Sequence, residues 1–182
     1  MLVLASHSPR RQDLLRQAGI PFIVMPADVE EEPLPGEDAR SHVLRLACAK
    51  AIAVNAAPDD IALGADTVVV VDGQILGKPA DAADAARMLR LLSGREHQVI
   101  TGICLRRGGQ ALADAETTTV RFVPLSEDAI RDYVASGEPL DKAGAYAIQG
   151  LASKFIDRIE GCYSNVVGLP LARVYRCLER LR

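Results

Sequence analysis

The chain has 182 residues, 49% of them hydrophobic and 25% charged, with a formal net charge of −3. That length and composition suit one domain, residues 1–182, with a core of its own, and exclude a disordered or low-complexity chain. The mild acidity and an aromatic content of 4% argue against nucleic-acid binding, which draws on a basic face and stacking platforms. No run reaches the roughly 20 apolar residues of a membrane helix.

Residues 2–5 read as a buried strand; Met1–Ala5 is apolar but too short, and without the basic lead-in, for an export signal. A turn over Ser6–Pro9 opens a helix at about 9–18, with Ser8 as N-cap, Pro9 at the first helical position and Gly19 beyond the end. Residues 21–26 are a short strand, and 27–37, acidic and with two prolines, an exposed loop. A long helix over 38–56 carries Val43, Leu44, Ala47, Ala51 and Val54 at helical spacing. Ile61–Val71 is an apolar run interrupted by Gly64 and Asp66, and Asp72-Gly73 is a strong hairpin signal. Residues 81–93 form an amphipathic helix ended by Gly94. Strands at 99–107 and 115–123 are joined through Gly108-Gly109. Ser126 caps a helix at 126–135 with Glu127 and Asp128 in its first turn. Residues 139–168 are glycine-rich and irregular with one strand near 154–159, and a helix over 170–181 closes the chain. Interleaved strands and helices predict an α/β domain with a mixed β-sheet flanked by helices; strand order is not legible.

The four cysteines are scattered without a C-x-x-C pair, which reads as reduced thiols in a cytoplasmic protein. The three histidines lack metal-ligand spacing, so any metal is a hard cation on oxygen ligands. Ser6-His7-Ser8-Pro9-Arg10-Arg11 sets two arginines on the first turn of a helix, a geometry suited to polyphosphate; alone it also reads as a capped surface helix. Asp66, in Gly64-Ala65-Asp66-Thr67, puts a carboxylate inside an apolar strand. Such a charge is paired, binds metal or faces a cleft, which makes Asp66 the first candidate for metal ligand or general base. Lys78, between Gly77 and Pro79, sits on a constrained turn. The run Asp28–Glu32 is either solvated surface or the source of a second metal carboxylate. Lys50, one of only four lysines, faces either solvent or the site. Gly137–Gly150 combines glycines with charges, an aromatic and Gln149, whose amide can read a base edge.

Together these segments, from S-x-S-P-R-R at 6–11 to V-G-L-P at 167–170, resemble the Maf family of nucleotide pyrophosphatases. The resemblance implies two lobes around a deep cleft, akin to inosine triphosphate pyrophosphatases. It implies cleavage of a nucleoside triphosphate to monophosphate and pyrophosphate with Mg²⁺ or Mn²⁺, a homodimer, and a link of some members to septum formation. It places the catalytic and metal carboxylates on Asp66 and Glu31 and the phosphate-binding residues on Ser8, Arg11, Lys50 and Lys78. Three positions separate branches of the family. Here they read Arg10, Thr67 and Gln149, similar to the branch acting on dTTP and UTP. The 7-methyl-GTP branch has tryptophan, glutamine and glutamate there. A nucleotide-binding regulator of division without turnover, and a 7-methyl-GTP pyrophosphatase, are the competing readings.

Overall fold

Three apolar residues at the amino end, Leu2–Leu4, form β1, and the chain returns beside it in parallel only because a helix bridges the two strands. In the computed structural model, which describes residues 1–181, that helix is α1 (Pro9–Gln17) and the returning strand β2 (Phe22–Val24). Then follow α2 (Ala39–Ala53), β3 (Ile61–Val71), β4 (Gln74–Leu76), α3 (Ala82–Leu92), β5 (Glu96–Arg107), β6 (Gln110–Phe122), α4 (Glu127–Ala135), three 3₁₀ turns between Glu138 and Phe155, β7 (Ile156–Glu160), α5 (Tyr163–Val167) and α6 (Leu171–Leu181). Arg182, the last residue of the expected domain, lies outside the described residues.

The strands make one seven-stranded mixed sheet in the order β2-β1-β3-β5-β6-β7, with β4 pairing β3. The expected α/β class and mixed sheet are therefore present. β1 lies parallel to β3 as well as to β2, in the register Leu4↔Leu63. The Asp72-Gly73 signal is met by the β3–β4 hairpin, both residues having positive φ (50° and 75°). Several edges differ from the sequence reading. β5 begins at Glu96 rather than 99 and β6 at Gln110 rather than 115, because ladder pairing, a non-local term, extends strands that propensity leaves short. Residues 163–167 form a helical turn too brief to leave a periodic pattern. Among the described residues no helix is long and apolar enough to cross a membrane.

Two compact units make up the chain: Met1–Thr67 with Thr101–Glu116 and the stretch from Gly168 on, and Val68–Ile100 with Thr117–Val167. β3, β5 and β6 contribute residues to both. In the first unit Val3, Ala5, Ala47, Ala51, Ala62 and Cys104 form an apolar cluster of small side chains. α2 lies on β3 and β5 at unusually short range there. A Cβ on Gly64 would collide with the Ala47 carbonyl oxygen and sit 2.7 Å from the Ala51 nitrogen, and one on Gly102 would sit 2.5 Å from the Val43 carbonyl group. The core of the second unit carries bulkier side chains, among them Leu89, Leu92, Phe122, Tyr133, Tyr146 and Phe155.

Candidate functional site

The close approach of α2 to β3 sets the first element of the site. Alternate residues of a strand share a face, so Asp66 projects from the face of Gly64, where α2 rests. Lys50 lies between Ala47 and Ala51 on that helix, and so meets the aspartate. Its Nζ donates to Asp66 Oδ1 at 2.8 Å and contacts Glu31 Oε1 at 2.6 Å. Lys50 and Asp66 are 7% and 8% exposed, whereas Glu31 reaches in from an exposed loop. β3 continues through Asp66 as regular strand. Of the alternatives the sequence left open, the buried carboxylate is paired, and Lys50 faces it rather than solvent. An ammonium between two carboxylates leaves one net negative charge.

The second element follows from the β1–β3 register. With Leu4 beside Leu63 and the Ala5 nitrogen donating to the Leu63 carbonyl at 2.8 Å, the chain beyond β1 runs past the segment of β3 that carries Asp66 and Thr67. In open α/β sheets the ground beyond the carboxyl ends of parallel strands is where ligands gather. Ser8 is the N-cap of α1 with Pro9 at its first position, as the sequence indicates. Its side chain makes no cap bond; its nitrogen donates to Ser6 Oγ at 3.2 Å.

Arg11 points inward from this helix. Its Nε donates to the Gly168 carbonyl at 2.9 Å, Nη1 to Ser6 Oγ at 3.1 Å and Nη2 to Thr67 Oγ1 at 3.1 Å. Burial lowers its pKa from the ordinary arginine value, opposed by the charges of Asp66 and Glu31; at any accessible pH it stays a cation. Thr67 also bonds Thr101 Oγ1 at 2.9 Å. Thr67, expected as a specificity position, thus has a structural duty in aiming Arg11. Arg10 is half-buried on the same helix.

Asp66, Glu31, Lys50, Arg11, Ser8, Arg10 and Thr67 all belong to the first unit. Lys78 and Gln149 belong to the second and are both exposed. The turn of Lys78 is tied down within that unit, where the Gly144 nitrogen donates to the Gly77 carbonyl at 3.0 Å. A Cβ on Gly144 would press into Val69, so a glycine is needed for this approach. Lys142 is spent on the Glu138 carbonyl and Asp141. Sequence reasoning missed Ser6, Thr101 and Gly168 as partners of Arg11 and Thr67; Ser6 and Gly168 had a signal, their places in the S-x-S-P-R-R and V-G-L-P segments, and Thr101 had none.

Among the described residues no three His, Cys, Asp or Glu side chains gather into a metal cage. Two carboxylates, Asp66 and Glu31, converge on one point. That set fits a hard divalent cation of the magnesium type, which takes one or two carboxylates and completes its shell with phosphate oxygens and water.

The Maf-like protein family model matches residues 1–181. Over 180 residues the chain is 53% identical to the dTTP/UTP pyrophosphatase of Koribacter versatilis and 56% identical to that of Symbiobacterium thermophilum, in each case covering 98% of this chain and 93% of the relative. The dTTP/UTP pyrophosphatase of a Geobacter species is 55% identical over 181 residues, 98% of this chain and 94% of that protein. Among solved structures, the Ham1 protein of Staphylococcus aureus aligns with 66% of this chain and 71% of its own at 17% identity and a TM-score of 0.48, too distant to bear on fold or function.

Proposed function

Since the chain belongs to the Maf-like protein family, we propose that it is a nucleoside triphosphate pyrophosphatase that cuts dTTP and UTP, and modified uridine triphosphates, into the monophosphate and pyrophosphate. The observation that carries the reading is the buried Lys50 joining Asp66 and Glu31 in the unit that also holds inward-pointing Arg11. A phosphate binder without turnover gains nothing from two carboxylates beside an anionic ligand, whereas hydrolysis needs a proton acceptor and a metal ligand.

Asp66 and Glu31 would hold a divalent cation beside the triphosphate. When bound, the cation supplies neutralisation of phosphate charge. Arg11 fixes a phosphate by its planar fork, and Lys50 and Lys78 add point charges. The N-terminus of α1, with Ser8, supplies amide donors to the same anion. Asp66, immobilised on a strand, accepts the proton of the water that attacks the α-phosphorus while pyrophosphate departs on the opposite side. Positioning and electrostatics account for most of the acceleration in such chemistry. Arg10, Thr67 and Gln149 set the choice of base, Gln149 offering both donor and acceptor to a uracil or thymine edge. We place the enzyme in the cytoplasm as a homodimer, which sedimentation would check.

The test is pyrophosphate release from dTTP, UTP, CTP, GTP and 7-methyl-GTP with Mg²⁺, Mn²⁺ or chelator. Metal-dependent release favouring dTTP and UTP supports the reading. Preference for 7-methyl-GTP overturns the base-selection argument. Nucleotide binding without release favours a regulator.

A further inference from the structure

Glu31 reaches Lys50 from a loop that should not be able to hold it there. The segment between β2 and α2 has no regular structure, and residues 30–36 are all exposed. Packing therefore does not fix the carboxylate, and the constraint comes from the far end of the loop. Leu34-Pro35-Gly36-Glu37 closes with the Glu37 nitrogen donating to the Leu34 carbonyl at 3.0 Å, and Gly36 has φ +75°. Proline second and glycine third fit a type II turn. The turn brings the Glu37 carboxylate, with its side chain 8% exposed, against α2.

There Glu37 accepts a bidentate pair from Arg45, Nε at 2.6 Å and Nη2 at 2.8 Å. It also accepts from the Leu34 nitrogen at 3.1 Å and lies 3.0 Å from His42 Nδ1. The Arg45 bond holds Glu37 down at about 2 against an ordinary 4.5. The same Arg45 Nη2 donates to the carbonyl of Glu32 at 3.0 Å. One guanidinium thus grips the loop at its base and again next to Glu31. Arg45 and Lys50 lie five residues apart on one helix, so the grip and the ammonium that receives Glu31 move as one body.

We infer that Glu37 and Arg45 are positioning residues that hold the loop so that Glu31 meets Lys50 and Asp66. Neither needs to touch a ligand; they act through Glu31. The kinetic part of this inference rests on the proposed pyrophosphatase activity. The structural part does not.

The experiment has two arms, on the full chain carrying Glu37→Gln or Arg45→Lys, which preserve size. In the metal-free, nucleotide-free protein, amide hydrogen exchange over residues 28–37 is expected to quicken about tenfold or more while Ala39–Ala53 stays as in the parent. In dTTP hydrolysis, Arg45→Lys is expected to lower kcat about tenfold with KM nearly unchanged, yet less than about twofold further in a Glu31→Gln background. Unchanged loop exchange, a quickening spread equally through α2, or losses that multiply in full in the double variant would each overturn the inference. If the parent hydrolyses no nucleotide, the pyrophosphatase reading fails and the exchange arm alone decides this one.

Discussion

In the first unit Lys50 and Asp66 are buried as ions facing one another, with Glu31 on the same ammonium. In the second unit one buried polar pair is His97 and Tyr146. His97 Nε2 and the Tyr146 hydroxyl are 2.7 Å apart, inside a cluster of edge-to-face rings that includes Phe122. Desolvation pushes His97 down to about 4 and raises Tyr146 above its ordinary value, so both are neutral at physiological pH. A neutral pair serves packing and uniqueness of the core. Buried ions are a poor source of net stability, since the cost of desolvation offsets most of their attraction. Charge kept at that cost on a strand next to a helix terminus supports the proposal that chemistry, rather than folding, set the residue choice there.

Removing one partner from each pair separates the two cases. Lys50→Met strands a buried carboxylate and is expected to cost about 3–5 kcal/mol in chemical denaturation; a variant as stable as the parent would show that the ions are not the buried pair described here. In the second unit the stress comes from pH. His97 has a folded value near 4 against about 6.5 unfolded, so between these limits the unfolded state binds more protons. Stability should fall as pH drops from 6.5 to 4, by up to about 3 kcal/mol, and His97→Phe should flatten that part of the profile. An unaltered profile would mean that another group titrates.

Gly64→Ala probes the packing that brings the ions together. Its Cβ meets helix backbone, not a movable side chain, so a loss of about 1–3 kcal/mol is expected, with activity falling further than stability because Lys50 moves with α2. Equal activity would mean that the helix adjusts without moving its lysine. Smallest is Gln149→Glu, exposed in the second unit. It should leave the melting temperature unchanged while weakening dTTP and UTP relative to GTP by up to about tenfold. Equal losses for every base would remove Gln149 from base reading.

What the sequence made legible follows the same division between local and non-local causes. Ser8-Pro9 at the start of α1 and Asp72-Gly73 at the hairpin carry their conformations in their own chemistry. Asp66 was conspicuous because a carboxylate in an apolar strand needs a reason. Its partner was not: nothing local tells that Lys50 lies over Asp66, because that depends on Gly64 and Gly102 letting α2 approach the sheet. The motif makes Arg11 an expected phosphate ligand, but its bonds to Thr67 and to the Gly168 carbonyl join segments 56 and 157 residues away. Glu37 and Arg45 were hidden for another reason. Glu37 ends an acidic loop and Arg45 lies on a helix, and only the turn that closes on Glu37 brings its carboxylate against Arg45.

In the proposed mechanism Asp66 is the carboxylate that does the chemistry. The most direct measurement is pyrophosphate release from dTTP by Asp66→Asn, beside its thermal stability and its binding of a non-hydrolysable dTTP analogue. The variant should stay folded, bind the analogue and lose about 10²–10⁴ in rate. A folded variant that retains more than about a tenth of the parent rate would contradict the assignment and move the catalytic carboxylate elsewhere.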